Sequence, residues 1–390
     1  MPIEITYGYS RDHRPDLKQF TLELITSGDG DVPLYLRVGN GNDADQAVFT
    51  EVLAQFQQQW RAAKPSVYVA DAALYNKENL VALGQTPWIS RVPATIAEAQ
   101  QLIQTLPQEM FRVSSLNNYS IAEVCSTFAG VRQRWLVVHS ESRSVADLKQ
   151  LDKRIERAKD KNLKALKELG VHPFACEADA LDAANTFELK LKYHTLTELE
   201  VRLKPYYDKP GRPRKGDAPK GYTYHIQATL ALNEPAVAAQ RNQAGRFVLA
   251  TNLLDLELWP NDTVLQEYKN QQSCERGFRF LKDPLFFASR VFVKLPQRVA
   301  ALAMIMGLCL LVYTIGQRQL RQALAQASET ISNQQGKQTE RPTLRWVMQC
   351  FQSVHLIWLE DRKWAIKLND LQTHILRFLG SDCQKYYFLC

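Results

Sequence analysis

The sequence predicts an α/β fold, and three observations carry that expectation. First, QFTLELIT (19–26) and PLYLRVGN (33–40) read as two strands closed by the tight turn SGDGDV. Second, short β-branched and aromatic runs alternate with segments of helical period. These runs are SVYVAD (66–71), TPWISRVP (86–93) and AGRFVLATNLL (244–254). Third, VAALAMIMGLCLLVYTIGQ (299–317) carries no charge between Arg298 and Arg318 and reads as a helix.

Each element has its own reason. In ADQAVFTEVLAQFQQQWRAA (44–63), Val48, Val52, Phe56 and Trp60 recur every four residues, which makes an amphipathic helix. A short helix follows the strand at 66–71, with Asn76 as N-cap and Gly84 just past its end. VRQRWLVVHSES is a strand. SVADLKQLDKRIERAKDKNLKALKELG (144–170) is a long charged helix, opened by Ser144 and closed by Gly170. Its alternating charges point to a solvated face, with contact to a DNA backbone as the sharper alternative.

The stretch 202–220 holds seven Lys and Arg against two Asp, with Pro205, Pro210, Pro213 and Pro219. These prolines exclude a helix or a central strand and leave a basic loop. Within it, PGRPRKG (210–216) has the GRP core that lies in narrow minor grooves, without the preceding Arg. Nonspecific phosphate contact by Arg212, Arg214 and Lys215 is the expectation. NDTVLQEYKNQQSCERGFRFLKDP reads as one helix. The 299–317 helix just reaches membrane-spanning length, but its flanks lack a Trp/Tyr belt. It is expected to be buried on all sides of a domain, with no membrane contact. SETISNQQGKQTERP (328–342) reads as a polar linker before a helical C-terminal part with two amphipathic pieces.

The totals narrow the function classes. The chain has 390 residues, 45% hydrophobic and 23% charged, enough for a large core and two or three structural units. A net charge of +7 favours a polyanionic partner. The seven cysteines form no CxxC pair and do not cluster with the seven histidines. That argues against structural zinc and for a reducing cytoplasm. The N-terminus MPIEITYGYSRDH has no apolar signal-peptide core. No GxGxxG or P-loop follows a strand, so no nucleotide cofactor is implied. Ser144 and Ser273 stand in no nucleophile motif, and His13 lies in a polar loop.

One stretch holds a single acid among bases. In YKNQQSCERGFRFLKDP (268–284), Glu275 is the only carboxylate before Asp283. At helical spacing Tyr268, Gln271, Glu275, Arg279 and Lys282 share a stripe, beside an apolar stripe of Cys274, Gly277, Phe278 and Leu281. On spacing alone the polar stripe is a solvated face with Glu275 and Arg279 as an i,i+4 pair. A catalytic role needs a second acid. Asp71 is the candidate, since it sits just past the apolar strand SVYVA, where open α/β sheets place their sites. A strand-ending turn is the alternative for that residue.

Together these residues resemble the Y-(2)-R-(3)-E-(6)-K signature of insertion-sequence DDE transposases of the IS-four superfamily. The spacing matches at every step from Tyr268 to Lys282, with Gln271 in the Arg position. VYVADAALYNKENL followed by PWISRVP resembles the second-aspartate segment. GYSRDHRPDLKQF and RPTLRW resemble segments of the sixteen-thirty-four branch. The resemblance implies an RNase H-like core and two-metal, in-line phosphodiester chemistry with Mg²⁺ or Mn²⁺. Asp71 and Glu275 would be metal ligands. Tyr268, Gln271, Arg276, Arg279 and Lys282 would meet DNA. It further implies the terminal inverted repeats of a bacterial mobile element and target DNA as partners, a homodimer in the synaptic complex and a cytoplasmic place of work. The core would occupy 1–112 and 244–327, interrupted by an α+β insertion domain at 113–243 and followed by a C-terminal part at 328–390.

The family's first aspartate lies in a D-T/S-T strand that is expected just before the hairpin. The chain begins with MPIEITYGYS, and Asp12 and Asp16 belong to a different segment. The expectation is therefore a transposase truncated at its N-terminus. The alternative function is a catalytically silent remnant that binds DNA or an intact transposase.

Overall fold

The structure, a computed structural model, describes residues 3–10, 13–60, 66–207, 219–282, 293–359, 362–365 and 367–388. It is a mixed α/β protein of two units. Met1–Pro87 and Val264–Cys390 form the first, and Trp88–Thr263 form the second.

The first unit opens with strands β1 (Thr21–Thr26) and β2 (Pro33–Gly39), an antiparallel hairpin that pairs Glu23 with Arg37 and Leu24 with Leu36. Alternation along β1 sends Leu22 and Leu24 into one apolar layer and leaves Thr21, Glu23 and Ile25 on the other face. On that other face Tyr35 meets Phe56 of helix α1 (Asp45–Gln59), their ring centroids 6.1 Å apart. Phe56 in turn meets Tyr68 of strand β3 (Tyr68–Ala70) at 6.4 Å. The expected four-residue stripe is thus seated, although α1 stops at Gln59. Trp60 leaves helical backbone, and residues 61–65 lie outside the described set. Helix α2 (Lys77–Leu83) has the expected caps, with the Asn76 side chain accepting from Asn79 N and Gly84 closing the end.

The second unit contains β4 (Trp88–Arg91), α3 (Ala97–Thr105), β5 (Arg112–Val113), β6 (Tyr119–Phe128), β7 (Val131–Ser140), α4 (Glu141–Val171), α5 (Glu177–Glu188), β8 (His194–Tyr206), β9 (Gly221–Leu232), α6 (Glu234–Gln243) and β10 (Arg246–Thr251). Strands β4, β10, β7, β6 and β5 lie side by side in that order, all antiparallel. β7 and β10 are buried along nearly their whole length, which their unbroken apolar runs reflect. Arg246 supports α3 from β10, donating to the carbonyls of Ile103 and Leu106 at 3.2 and 2.8 Å.

Two expectations change here. Helix α4 starts at Glu141, with Ser140 at the N-cap position, and not at Ser144, because β7 runs straight into the helix. Only Leu151 and Leu166 of α4 are buried, so most of its charges face solvent. The basic stretch is in part a hairpin. β8 and β9 pair from His194 with Leu232 to Tyr206 with Gly221, and Pro205 sits in β8 opposite Tyr222. A two-stranded sheet leaves each strand an edge on which a missing N–H costs no ladder bond. Arg212, Arg214 and Lys215 lie outside the described residues.

Helix α7 (Asn261–Asn270) leads back to the first unit. There follow α8 (Gln272–Leu281), α9 (Pro296–Ala327), β11 (Ile331–Ser332), β12 (Gln338–Thr339), α10 (Leu344–Phe351), β13 (Leu356–Leu359), β14 (Arg362–Ala365), α11 (Asp370–Leu376) and α12 (Ser381–Phe388). The polar stretch expected as a linker contains the β11–β12 hairpin, closed by Asn333, whose side chain accepts from the backbone of Gln335 and Lys337. The C-terminal part is likewise not purely helical, since β13 pairs with β14.

The charge-free segment is the middle of α9, and it is not buried on all sides. Val299, Ala303, Met306 and Leu310 form its buried face. Met304, Ile305, Leu308 and Val312 are half or more exposed. By length and composition alone α9 could cross a membrane. Apolarity all round was the sequence signal, but among the described residues elements of the first unit pack on one side only. Leu281, Met306 and Leu310 form a cluster with Leu22, Leu24 and Phe278. Each such buried side chain contributes about 1.5–3 kcal/mol. Hairpin β1–β2 is thus covered by α8 and α9 on one face and by α1 on the other.

Candidate active site

Glu275 stands in the first turn of α8, where a carboxylate is favoured by the exposed N–H groups of the helix start. The apolar stripe beside it holds the helix in place. Cys274 Sγ lies 3.2 Å from Thr26 Oγ1 on β1. A Cβ on Gly277 would lie 2.9 Å from Leu24 Cδ2, so the missing side chain lets α8 lie close to the hairpin, and any larger residue requires the tip of Leu24 to move. Phe278 and Leu281 complete the contact.

The single helix expected over 261–284 is broken at Gln271. Gln271 N donates to Tyr268 O and Cys274 N to Gln271 O, both over three residues and not four. Tyr268 is therefore on α7, while Glu275 and Arg279 are on α8 and Lys282 caps it. The polar stripe is split between two helices. Glu275, Arg279 and Lys282 are exposed, and Tyr268 and Gln271 are half-buried.

The simplest structural use of Glu275 is not made. Among the described residues neither Glu275 nor Arg279 has an ion-pair partner, so the i,i+4 pair that spacing allows does not form. Arg276 is committed elsewhere. Its Nε and Nη2 donate to both oxygens of Asp31, at 2.8 and 2.9 Å. This clasp was not foreseen from the sequence; the two acids of SGDGDV were its only signal. Arg276, expected to meet DNA, ties α8 to the turn between β1 and β2 through this clasp.

Asp71 follows β3 directly and is exposed. Its Oδ1 accepts from Ala73 N at 2.9 Å, which makes the turn that ends the strand. Asp71 and Glu275 both belong to the first unit. In kind they suit a hard divalent cation, since carboxylate oxygens leave room for water and phosphate in its shell. Among the described residues no group of three His, Cys, Asp or Glu is placed to hold a metal.

The family model of the transposase DDE domain matches residues 4–313, which include Asp71, Glu275 and both helices α7 and α8. No curated protein and no solved structure matches the chain. With most of its length covered by that one family model, the chain belongs to the transposase DDE domain family.

Proposed function

We propose that this chain acts on DNA as a transposase of the IS-four superfamily, in its sixteen-thirty-four-like branch. Its chemistry is metal-dependent cleavage and joining of phosphodiesters at the ends of a mobile element. The observation that carries this reading is Glu275, an exposed carboxylate with no ion-pair partner among the described residues, flanked by exposed Arg279 and Lys282 and fixed by the packing of Gly277 and Leu281. Its carboxylate oxygens suit a hard divalent cation, and the transposase DDE family match supports that use.

In this reading Asp71 and Glu275 would hold Mg²⁺ or Mn²⁺, which supplies Lewis-acid stabilisation of phosphate charge when bound. Lys282, Arg279, Gln271 and Tyr268 would position backbone phosphates of the element's inverted repeats and of target DNA. Arg212, Arg214 and Lys215 would add nonspecific contact. Hairpin β1–β2 and β3 would belong to an RNase H-like core interrupted by an insertion domain over 113–243. The working form would be a homodimer in the cytoplasm, on the nucleoid and away from membranes.

A second reading has its own support. With no three-group metal cluster among the described residues, a chain that binds DNA or an intact transposase without cutting is the alternative. One experiment separates the two. The purified chain is incubated with duplexes carrying the element's ends and with Mg²⁺ or Mn²⁺. Nicked or joined product that vanishes in Asp71→Asn and Glu275→Gln supports the enzyme. Binding without product, unchanged in those variants, supports the silent form.

A further inference from the structure

Arginines outnumber acids where the turn of hairpin β1–β2 meets α8, α9 and the segment before α10. Arg276 pairs with Asp31 and Arg318 with Asp29, and Arg321 lies within reach of Arg341, Arg276 and Asp31. Both acids are already engaged. Asp31 gives its two oxygens to Arg276, and Asp29 pairs with Arg318. The turn admits Arg318 because Gly30 has no side chain, since a Cβ there would lie 2.6 Å from Arg318 Cδ.

Arg321 is left without a carboxylate among the described residues. Its Nε donates to Pro342 O at 3.0 Å, which fixes the guanidinium plane and keeps the two Nη groups for another acceptor. Burial draws its pKa below the ordinary value, and repulsion from Arg341 and Arg276 adds to that against the pull of Asp31. Arg341, exposed and next to Pro342, is held by a bond from its own N–H to Thr339 Oγ1 at 3.0 Å. The start of α10 does not compete for an anion. Gln317 Oε1, Tyr313 Oη and Thr343 Oγ1 already accept from its first three N–H groups.

We propose that Arg321 and Arg341, with Arg318 beside them, form a phosphate-binding site that takes a backbone phosphate of duplex DNA. Planar guanidinium forks suit tetrahedral phosphate oxygens, and a phosphate would offset the repulsion among these arginines. The site lies at the turn end of the hairpin and uses neither Asp71 nor Glu275. The identification of DNA as the phosphate's carrier rests on the transposase reading, while the phosphate chemistry itself does not.

The test uses the full chain, with Arg341→Ala and Arg321→Gln. Binding of a random-sequence duplex is measured across KCl concentrations without divalent metal. The slope of log affinity against log salt should flatten by about one for each arginine variant. In parallel, the melting temperature is recorded with inorganic phosphate or chloride at matched ionic strength. A rise with phosphate that Arg341→Ala abolishes also supports the site. If that rise appears while the wild type binds no duplex, the site takes free phosphate and the transposase reading fails separately. Unchanged slopes in folded arginine variants, with no phosphate-dependent rise, overturn the proposal.

Discussion

Arg276 and Asp31 are 245 positions apart in the chain and form a two-bond clasp at 2.8 and 2.9 Å. The Asp31 side chain is 12% exposed and that of Arg276 is 49% exposed. One residue earlier in α8, Glu275 has no ion-pair partner among the described residues. The helix therefore spends its base on architecture and leaves its acid open. The clasp and the contact at Gly277 fix the rotation of α8 about its axis, and that rotation decides where Glu275 points.

Two substitutions at Asp31 separate the clasp from the turn. Asp31 has φ of 64°, a left-handed backbone that Asn adopts readily and Ala does not. Asp31→Asn should cost about 1 kcal/mol through weakened bonds to the half-exposed Arg276. Asp31→Ala should cost a further 1–2 kcal/mol or so from backbone strain. Urea midpoints at constant m-value measure both. Equal losses in the two variants would show that the turn conformation contributes nothing.

Gly277 permits a second pair of variants. Gly277→Ala gains about 1 kcal/mol of helix propensity and asks only the tip of Leu24 to yield. It should be close to neutral. Gly277→Val adds branches against Leu24 and Leu310 and should cost about 1–3 kcal/mol. Thermal melts decide this, and a destabilised Gly277→Ala would mean the hairpin cannot shift at all.

These contacts mark what could be read in the chain. The hairpin β1–β2 was legible because turn residues flank alternating strands, and α2 was legible from Asn76 and Gly84. The apolar stripe of α8 was legible from helical spacing. The break at Gln271 was not, since KNQQS contains neither Gly nor Pro. Pro205 misled because it was weighed against a central strand, while β8 has an open edge. The exposed face of α9 could not be read either, because periodicity cannot tell a helix covered on one side from one covered on all. The Asp31–Arg276 clasp is a long-range pairing between a turn and a helix, which local pattern does not encode. Asp71 was singled out by its place after an apolar strand and Glu275 by motif spacing; in the structure Asp71 follows β3 and Glu275 stands in the first turn of α8, both in one unit.

Glu23 predicts a pH dependence. Burial raises its carboxyl above the ordinary value of 4.5, against the Thr21 hydrogen bond and the attraction of Arg37, with Asp43 adding to the rise. One oxygen accepts from Thr21 Oγ1 at 3.0 Å, and the other is buried with no hydrogen-bond partner among the described residues. The folded state then holds a proton that the unfolded state has released in the window from 4.5 upward. Stability falls as pH rises through that window. Glu23→Gln should remove this slope and be at least as stable as the wild type at pH 7. Unfolding free energies at pH 4 and 7 check it, and an unchanged slope in the variant would assign the dependence to another group.

The two faces of α9 should respond oppositely to substitution. Leu310 is 1% exposed within the cluster that includes Leu281 and Met306, so Leu310→Ala should cost about 2–5 kcal/mol. Val312 is 70% exposed and Ile305 is 56% exposed. Ile305→Gln and Val312→Gln should stay within about 0.5 kcal/mol of the wild type. They should also reduce self-association, because an exposed apolar stripe attracts other apolar surface. Urea unfolding and light scattering on the same samples measure the two effects. If Val312→Gln destabilised the monomer as much as Leu310→Ala, the outer face of α9 would be packed in solution, and its apolar residues would belong to the core after all.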